Sequence, residues 1–139
     1  MPSPTPSQKV SQVSMFGGKN ITIKIVGDVY DDSHEASLVY SKKHKKTFIH
    51  PFDDEDVIIG QGTMALEILN QSLFPIDYLL VPIGGGGLIS GMINVFKQKS
   101  PKTRIIGIEP KGAPSMYESM KQNKRITPVS YTHLTLPTK

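Results

Sequence analysis

Four consecutive glycines, Gly84-Gly85-Gly86-Gly87, separate the apolar run Tyr78-Leu79-Leu80-Val81-Pro82-Ile83 from a helical pattern. In that pattern Ile89, Met92, Ile93 and Phe96 recur at i, i+3, i+4 and i+7. Few folds accept such a junction. Glycine lets the backbone adopt positive φ and come close to a bound group. Successive N–H groups converging at the start of a helix make an anion site, and a phosphate is the anion that suits it. A flexible linker would be the alternative, but linkers do not join a tight strand directly to a well-patterned helix.

Around this junction the chain alternates between helix and strand. Residues 8–16 read as a short helix with Val10 and Val13 inward, stopped by Gly17-Gly18. Residues 21–26 place Ile21, Ile23 and Ile25 on one face, as in a strand. Asp32-Ser33-His34-Glu35 resembles a capping box that opens a helix through Ala36, Val39 and Tyr40 to the lysines. Thr47-Phe48-Ile49-His50 reads as a short strand stopped by Pro51, and residues 52–56 as an acidic turn. Gly60-Gln61-Gly62-Thr63 is expected to open a further helix, with Ala65, Ile68 and Leu69 on its buried side. Residues 78–83 are apolar throughout, as in a central parallel strand covered on both faces. Residues 104–108 form the next strand, and Ser115-Met116-Tyr117-Glu118 signals a helix starting at Met116. Strand, glycine loop, helix and strand over residues 78–108 make one βαβ unit. The fold class is therefore α/β, with a mostly parallel, helix-covered sheet.

Other chemistries fit poorly. Lys42-Lys43-His44-Lys45-Lys46 could suggest nucleic acid, but it ends an expected helix, where cations suit the negative end of the dipole. No aromatic residues interleave with it, so no nucleic-acid partner is expected. There is no cysteine, which excludes disulfide and thiolate chemistry and is compatible with a cytoplasmic location. The N-terminal residues lack a signal-peptide pattern, and no apolar run reaches membrane-spanning length. His34, His44, His50 and His133 have no partners at metal-ligand spacing; His34 and His44 read as exposed helix residues. The acidic run Asp53-Asp54-Glu55-Asp56 reads as a solvated turn rather than a cation site. The glycine loop lacks the Lys-Ser/Thr of a nucleotide P-loop, and Ser90 lacks a nucleophile-elbow frame.

Several stretches together resemble the threonine dehydratase (threonine ammonia-lyase) and serine racemase group of fold type II pyridoxal-phosphate enzymes. They are residues 1–9, 27–32, Thr47-Phe48-Ile49-His50-Pro51-Phe52-Asp53-Asp54 and Gly60-Gln61-Gly62-Thr63. The loop segment 82–91 and Gly107-Ile108-Glu109-Pro110 complete the set, in the family's order and near its spacing. Residues 48–54 and 112–117 look closer to bacterial threonine dehydratases than to serine racemases. The resemblance implies pyridoxal 5'-phosphate as cofactor, its phosphate held by backbone N–H groups of Gly84, Gly85, Gly86, Gly87 and Leu88. It implies that residues 1–50 are part of a small domain and residues 51–128 part of a large cofactor-binding domain, both incomplete. Gly60 to Thr63 would be structural. A glutamate at the position of Glu109 binds a divalent cation in serine racemases, but the acid that would assist it falls at Ser115, so no metal site is expected here.

The resemblance also marks what the chain lacks. The family's Schiff-base lysine sits in a Ser-Phe-Lys-x-Arg-Gly-like motif upstream of the matched part, and no lysine here lies in such a motif; Phe96-Lys97 has the wrong flanks. No catalytic residue is therefore assigned. Residues 129–139 resemble no continuation of the family and look like the in-frame translation of a sequencing adapter, so they are expected to be non-native. The chain is then expected to be an internal fragment, itself inactive. The implied parent is a cytoplasmic lyase of amino-acid metabolism, in isoleucine biosynthesis. It converts threonine, with serine as a second substrate, to 2-oxobutanoate and ammonia, and is a homo-oligomer with no membrane partner. Two alternatives stay open: a serine racemase or other fold type II amino-acid lyase, and a non-catalytic phosphate- or cofactor-binding remnant.

Overall fold

The computed structural model describes residues 1–126; the terminal segment expected to be non-native lies outside the described residues. The chain divides into two units, Met1–Phe48 and a second from Ile49 onward.

In the first unit, helix α1 spans Ser7–Gly17 and ends at Gly18, whose φ is 50°. Val10 is half-buried, but Val13 is exposed rather than inward. A single 3-10 turn, Gly18–Asn20, follows. The strand expected at 21–26 does not form. Alternation makes a strand only where a second backbone supplies a ladder. Here Met1 takes that role in part, accepting from the Val26 N–H and donating to the Lys24 carbonyl, each at 2.8 Å. The strand expected at 47–50 is likewise irregular.

Helix α2 spans Tyr30–His44, so it starts before the position expected from Asp32. Asp32 sits in the third helical position and reaches back, accepting from the N–H of Asp28 at 2.9 Å and of Val29 at 3.2 Å. Lys42, Lys43 and His44 occupy its last turn, where the dipole favours them. The Lys24 ammonium lies 3.8 Å from the Tyr40 ring centroid. His34 is half-buried rather than exposed, with Tyr30 stacked at 5.9 Å and Phe48 edge-on at 5.5 Å.

The second unit holds the core. Helix α3 spans Glu55–Gln71, strand β1 Tyr78–Pro82, helix α4 Gly87–Lys99, strand β2 Arg104–Ile108 and helix α5 Ser115–Gln122. β1 and β2 pair in parallel, Tyr78 with Arg104 through Pro82 with Ile108. β1, α4 and β2 thus form the expected βαβ unit. Val81, Ile89, Met92, Phe96 and Ala65 make the buried cluster, and Ile68, Leu69, Leu79, Ile83 and Ile105 pack around it. The other sheet face is open: Leu80 is 60%, Ile106 45% and Ile108 46% exposed. Among the described residues, β1 is covered on one face.

α3 begins at Glu55, upstream of the glycines expected to open it. Asp54 is the cap, its Oδ1 accepting from the N–H of Asp56 at 3.0 Å and of Val57 at 3.3 Å. Glu55 and Asp56 then suit the positive end of the helix. Gly62 lies inside α3 because α4 crosses it there. A Cβ on Gly91 of α4 would come within 2.4 Å of the Ile58 carbonyl oxygen and 2.7 Å of the Gly62 nitrogen. The close crossing requires glycine and fixes where α4 starts relative to the sheet.

Candidate functional site: the glycine loop at the carboxyl end of the sheet

β1 delivers the chain to Ile83, whose N–H donates to the Ile108 carbonyl at 2.8 Å. Gly84 to Gly86 then turn it into α4, with Gly87 the first helical residue. The loop lies beyond the carboxyl ends of two parallel strands, where open α/β sheets place their ligands. Gly84 and Gly85 are exposed, Gly86 and Leu88 half-buried, and Gly87 buried. Sequence reasoning names these five residues, and the structure brings them together in one turn.

Each glycine has its own surroundings. A Cβ on Gly84 would meet nothing within 4 Å. On Gly85 it would fall 2.1 Å from Cγ of Phe52, and on Gly87 2.7 Å from the Phe52 carbonyl oxygen. Gly86 has φ of 95°, a left-handed conformation that disfavours any side chain, and Met116 Cε is 3.3 Å from where its Cβ would be.

The helix ends at this edge of the sheet differ in how their N–H groups are satisfied. α3 has the Asp54 carboxylate. At α5 the carboxylate of Glu109, directly after β2, accepts from the N–H of Met116 and of Tyr117, each at 2.8 Å. Ser115 is the first helical residue of α5 rather than its cap, and its hydroxyl points to Glu109 Oε1 at 3.4 Å. Both Glu109 oxygens thus serve a helix terminus. α4 has glycine at its N-cap and no side-chain cap. The Ser90 N–H bonds the Gly86 carbonyl at 3.0 Å, closing the first helical turn. Helix geometry leaves the N–H groups of Gly87, Leu88 and Ile89 without intrahelical acceptors. An uncapped N-terminus behind a glycine turn fits a phosphate, and the spaces backed by Phe52 leave no room for side chains at 85 and 87.

Sequence reasoning missed Phe52, which it placed in an acidic turn, and the partners of Glu109. An aromatic residue directly after Pro51 was the available signal for Phe52, but nothing in the sequence says which glycines it meets. Among the described residues, no group of three or more His, Asp or Glu could hold a metal ion, and no helix is long and apolar enough to cross a membrane.

Residues 1–136 match the family described as pyridoxal-phosphate dependent enzyme. The chain belongs to that family. The match runs past Pro128 into the terminal segment that the sequence reading set apart. The chain is 52% identical over 126 residues to the L-threonine dehydratase biosynthetic IlvA of Halalkalibacterium halodurans, covering 91% of this chain and 30% of that protein. It is 50% identical over 129 residues to the protein of the same name from Staphylococcus epidermidis, covering 91% and 31%. The chain thus spans about a third of the length of these curated relatives. Among solved structures it is similar to the processed form of threonine deaminase isoform 2 from Solanum lycopersicum, with TM-score 0.81, 41% identity and coverage of 91% and 36%. It is also similar to maize serine racemase, with TM-score 0.83, 36% identity and coverage of 93% and 38%.

Proposed function

We propose that this chain supplies the phosphate-holding part of a threonine dehydratase. The complete protein converts threonine, with serine as a second substrate, to the 2-oxo acid and ammonia. The observation that carries this reading is the 52% and 50% identity over 126 and 129 residues to threonine dehydratases of two organisms. Residues 1–50 are read as part of the small domain and residues 51–128 as part of the large one; the division of the structure after Phe48 supports that boundary.

Bound pyridoxal phosphate supplies the electron sink that stabilises charge at the substrate's α-carbon. The residues of this chain bind and orient. N–H groups of Gly84 to Leu88 would hold the cofactor's phosphate, and the dipole of α4 would favour the charge there. The buried Ile89, Met92 and Phe96 anchor the helix behind the loop, so the N–H groups that would hold the phosphate are themselves fixed. No residue of this chain is assigned to proton transfer.

The test is a graft of residues 1–126 in place of the matching segment of the H. halodurans enzyme. It is expected to retain the cofactor and release 2-oxobutanoate from threonine. Gly85→Asp in the graft should abolish cofactor retention, because a carboxylate would enter the anion nest where the Phe52 ring already leaves no space. A graft that keeps the cofactor and racemises serine without forming 2-oxobutanoate would favour the racemase reading. Unchanged cofactor affinity in Gly85→Asp would remove the phosphate assignment.

A further inference from the structure

Phe52 meets the glycine loop twice, with different parts of itself. Its ring fills the space beside Gly85, where a Cβ would lie 2.1 to 2.4 Å from three ring carbons. Its main chain backs Gly87, where a Cβ would lie 2.7 Å from the carbonyl oxygen and 3.1 Å from Cα. The position of Phe52 does not depend on the loop alone. His50 Nδ1 accepts from the N–H of Phe52 at 3.3 Å and of Asp53 at 2.8 Å, closing a tight turn. The His50 ring meets the Phe52 ring edge-on at 4.6 Å, and Asp54 caps α3 directly afterwards. The turn is therefore pinned at both ends before it reaches the glycines.

We propose that Phe52 is a positioning residue for the phosphate, holding the backbone of Gly85 and Gly87 in the anion-accepting arrangement. The inference rests on the reading of the loop as a phosphate site. Its physical ground is entropy. A run of glycines loses more conformational freedom on ordering than any other sequence. Without a backing surface, part of the binding energy is consumed in ordering the loop; with Phe52 in place the loop is preorganised. At Gly86 a Cβ would meet only a single methyl, Met116 Cε at 3.3 Å, so this side restrains the loop less.

The experiment follows backbone amide resonances of Gly84 to Leu88 in the ¹⁵N-labelled full chain during titration. The probes are pyridoxine 5'-phosphate and pyridoxine, whose alcohol prevents covalent attachment to lysines. The unsubstituted chain is expected to prefer the phosphorylated probe. Phe52→Ala should weaken that probe by about tenfold or more and leave pyridoxine unchanged, whereas Phe52→Tyr should stay within about twofold. Phe52→Leu, which keeps apolar volume, serves if the alanine variant loses spectral dispersion, and an intermediate loss is expected of it. Unchanged affinity for the phosphorylated probe in both Phe52→Ala and Phe52→Leu, or equal weakening of both probes, would overturn the proposal while leaving the phosphate reading intact. A lack of preference for the phosphorylated probe in the unsubstituted chain would overturn the phosphate reading, and the proposal with it.

Discussion

Replacing Gly91 by alanine is expected to destabilise the second unit, and replacing Gly60 by alanine to stabilise it, although both glycines lie inside helices of the same packed pair. At Gly91 the new Cβ would stand 2.4 Å from the Ile58 carbonyl oxygen, 2.7 Å from the Gly62 nitrogen and 3.0 Å from the Gln61 carbonyl carbon. All three are backbone atoms of α3 and cannot rotate away. Restoring ordinary contact, which begins at 3.4 Å, requires the helices to part by about 1 Å. A gap of that size forfeits a quarter to a half of each dispersion contact across the crossing. Overpacking of this kind costs about 1–3 kcal/mol. Alanine returns roughly 0.8–1 kcal/mol through its better helix propensity. The net loss is then about 0–2 kcal/mol. At Gly60 nothing lies within 4 Å of the new Cβ, so only the propensity gain remains, roughly 0.4–1 kcal/mol. Gly62→Ala, with contacts at 3.3 Å to the Gly91 carbonyl and Val95 Cγ2, should fall between them. Urea denaturation of the full chain, followed by far-UV circular dichroism, separates the cases. With a slope of about 1–2 kcal/mol per molar, the two midpoints should differ by on the order of 1 M, on opposite sides of the unsubstituted chain. A Gly91→Ala midpoint at or above that of the unsubstituted chain would refute the close-crossing argument.

Asp54→Ala should cost about 1 kcal/mol by removing the cap of α3, while Asp54→Ser stays within a few tenths, both read from the same denaturation curves. Glu109→Ala should cost about 1–3 kcal/mol, because two charge-assisted bonds are lost, and should speed hydrogen exchange at the Met116 and Tyr117 amides selectively. Equal acceleration throughout α5 and β2 would instead indicate general loosening. The chain as it stands should show no 2-oxobutanoate formation from threonine above that of free pyridoxal phosphate, since no lysine lies in the family's lysine motif; turnover accompanied by a borohydride-trapped lysine adduct would contradict this.

The central βαβ unit was legible from residue order because each of its parts is specified locally. Apolar continuity marks β1, four glycines mark the turn, and the 3.6-residue period of Ile89, Met92 and Phe96 marks α4. The glycine turn at the start of α4 was legible for the same reason, since a glycine run exposes backbone N–H groups wherever it precedes a helix. Boundaries and pairings were less so. Residues 21–26 alternate like a strand, yet alternation describes a face and not a partner. Gly60 and Gly62 look like the opening of a helix, because nothing in the sequence shows that α4 crosses at Gly62.

The sequence by itself therefore determined the order of the elements from β1 to β2, the glycine turn between β1 and α4 and, through motif order, the family. Those properties depend on a few residues that are close along the chain. The tertiary structure alone decided that Asp54 caps α3, that Glu109 rather than Ser115 serves the start of α5, and that Phe52 backs Gly85 and Gly87. Each of these joins groups whose meeting depends on distances between elements, and on which helix ends already have an acceptor. Asp54 and Glu109 satisfy two of the helix ends while α4 has no side-chain cap, a contrast that appears only when all three lie at the same edge of the sheet.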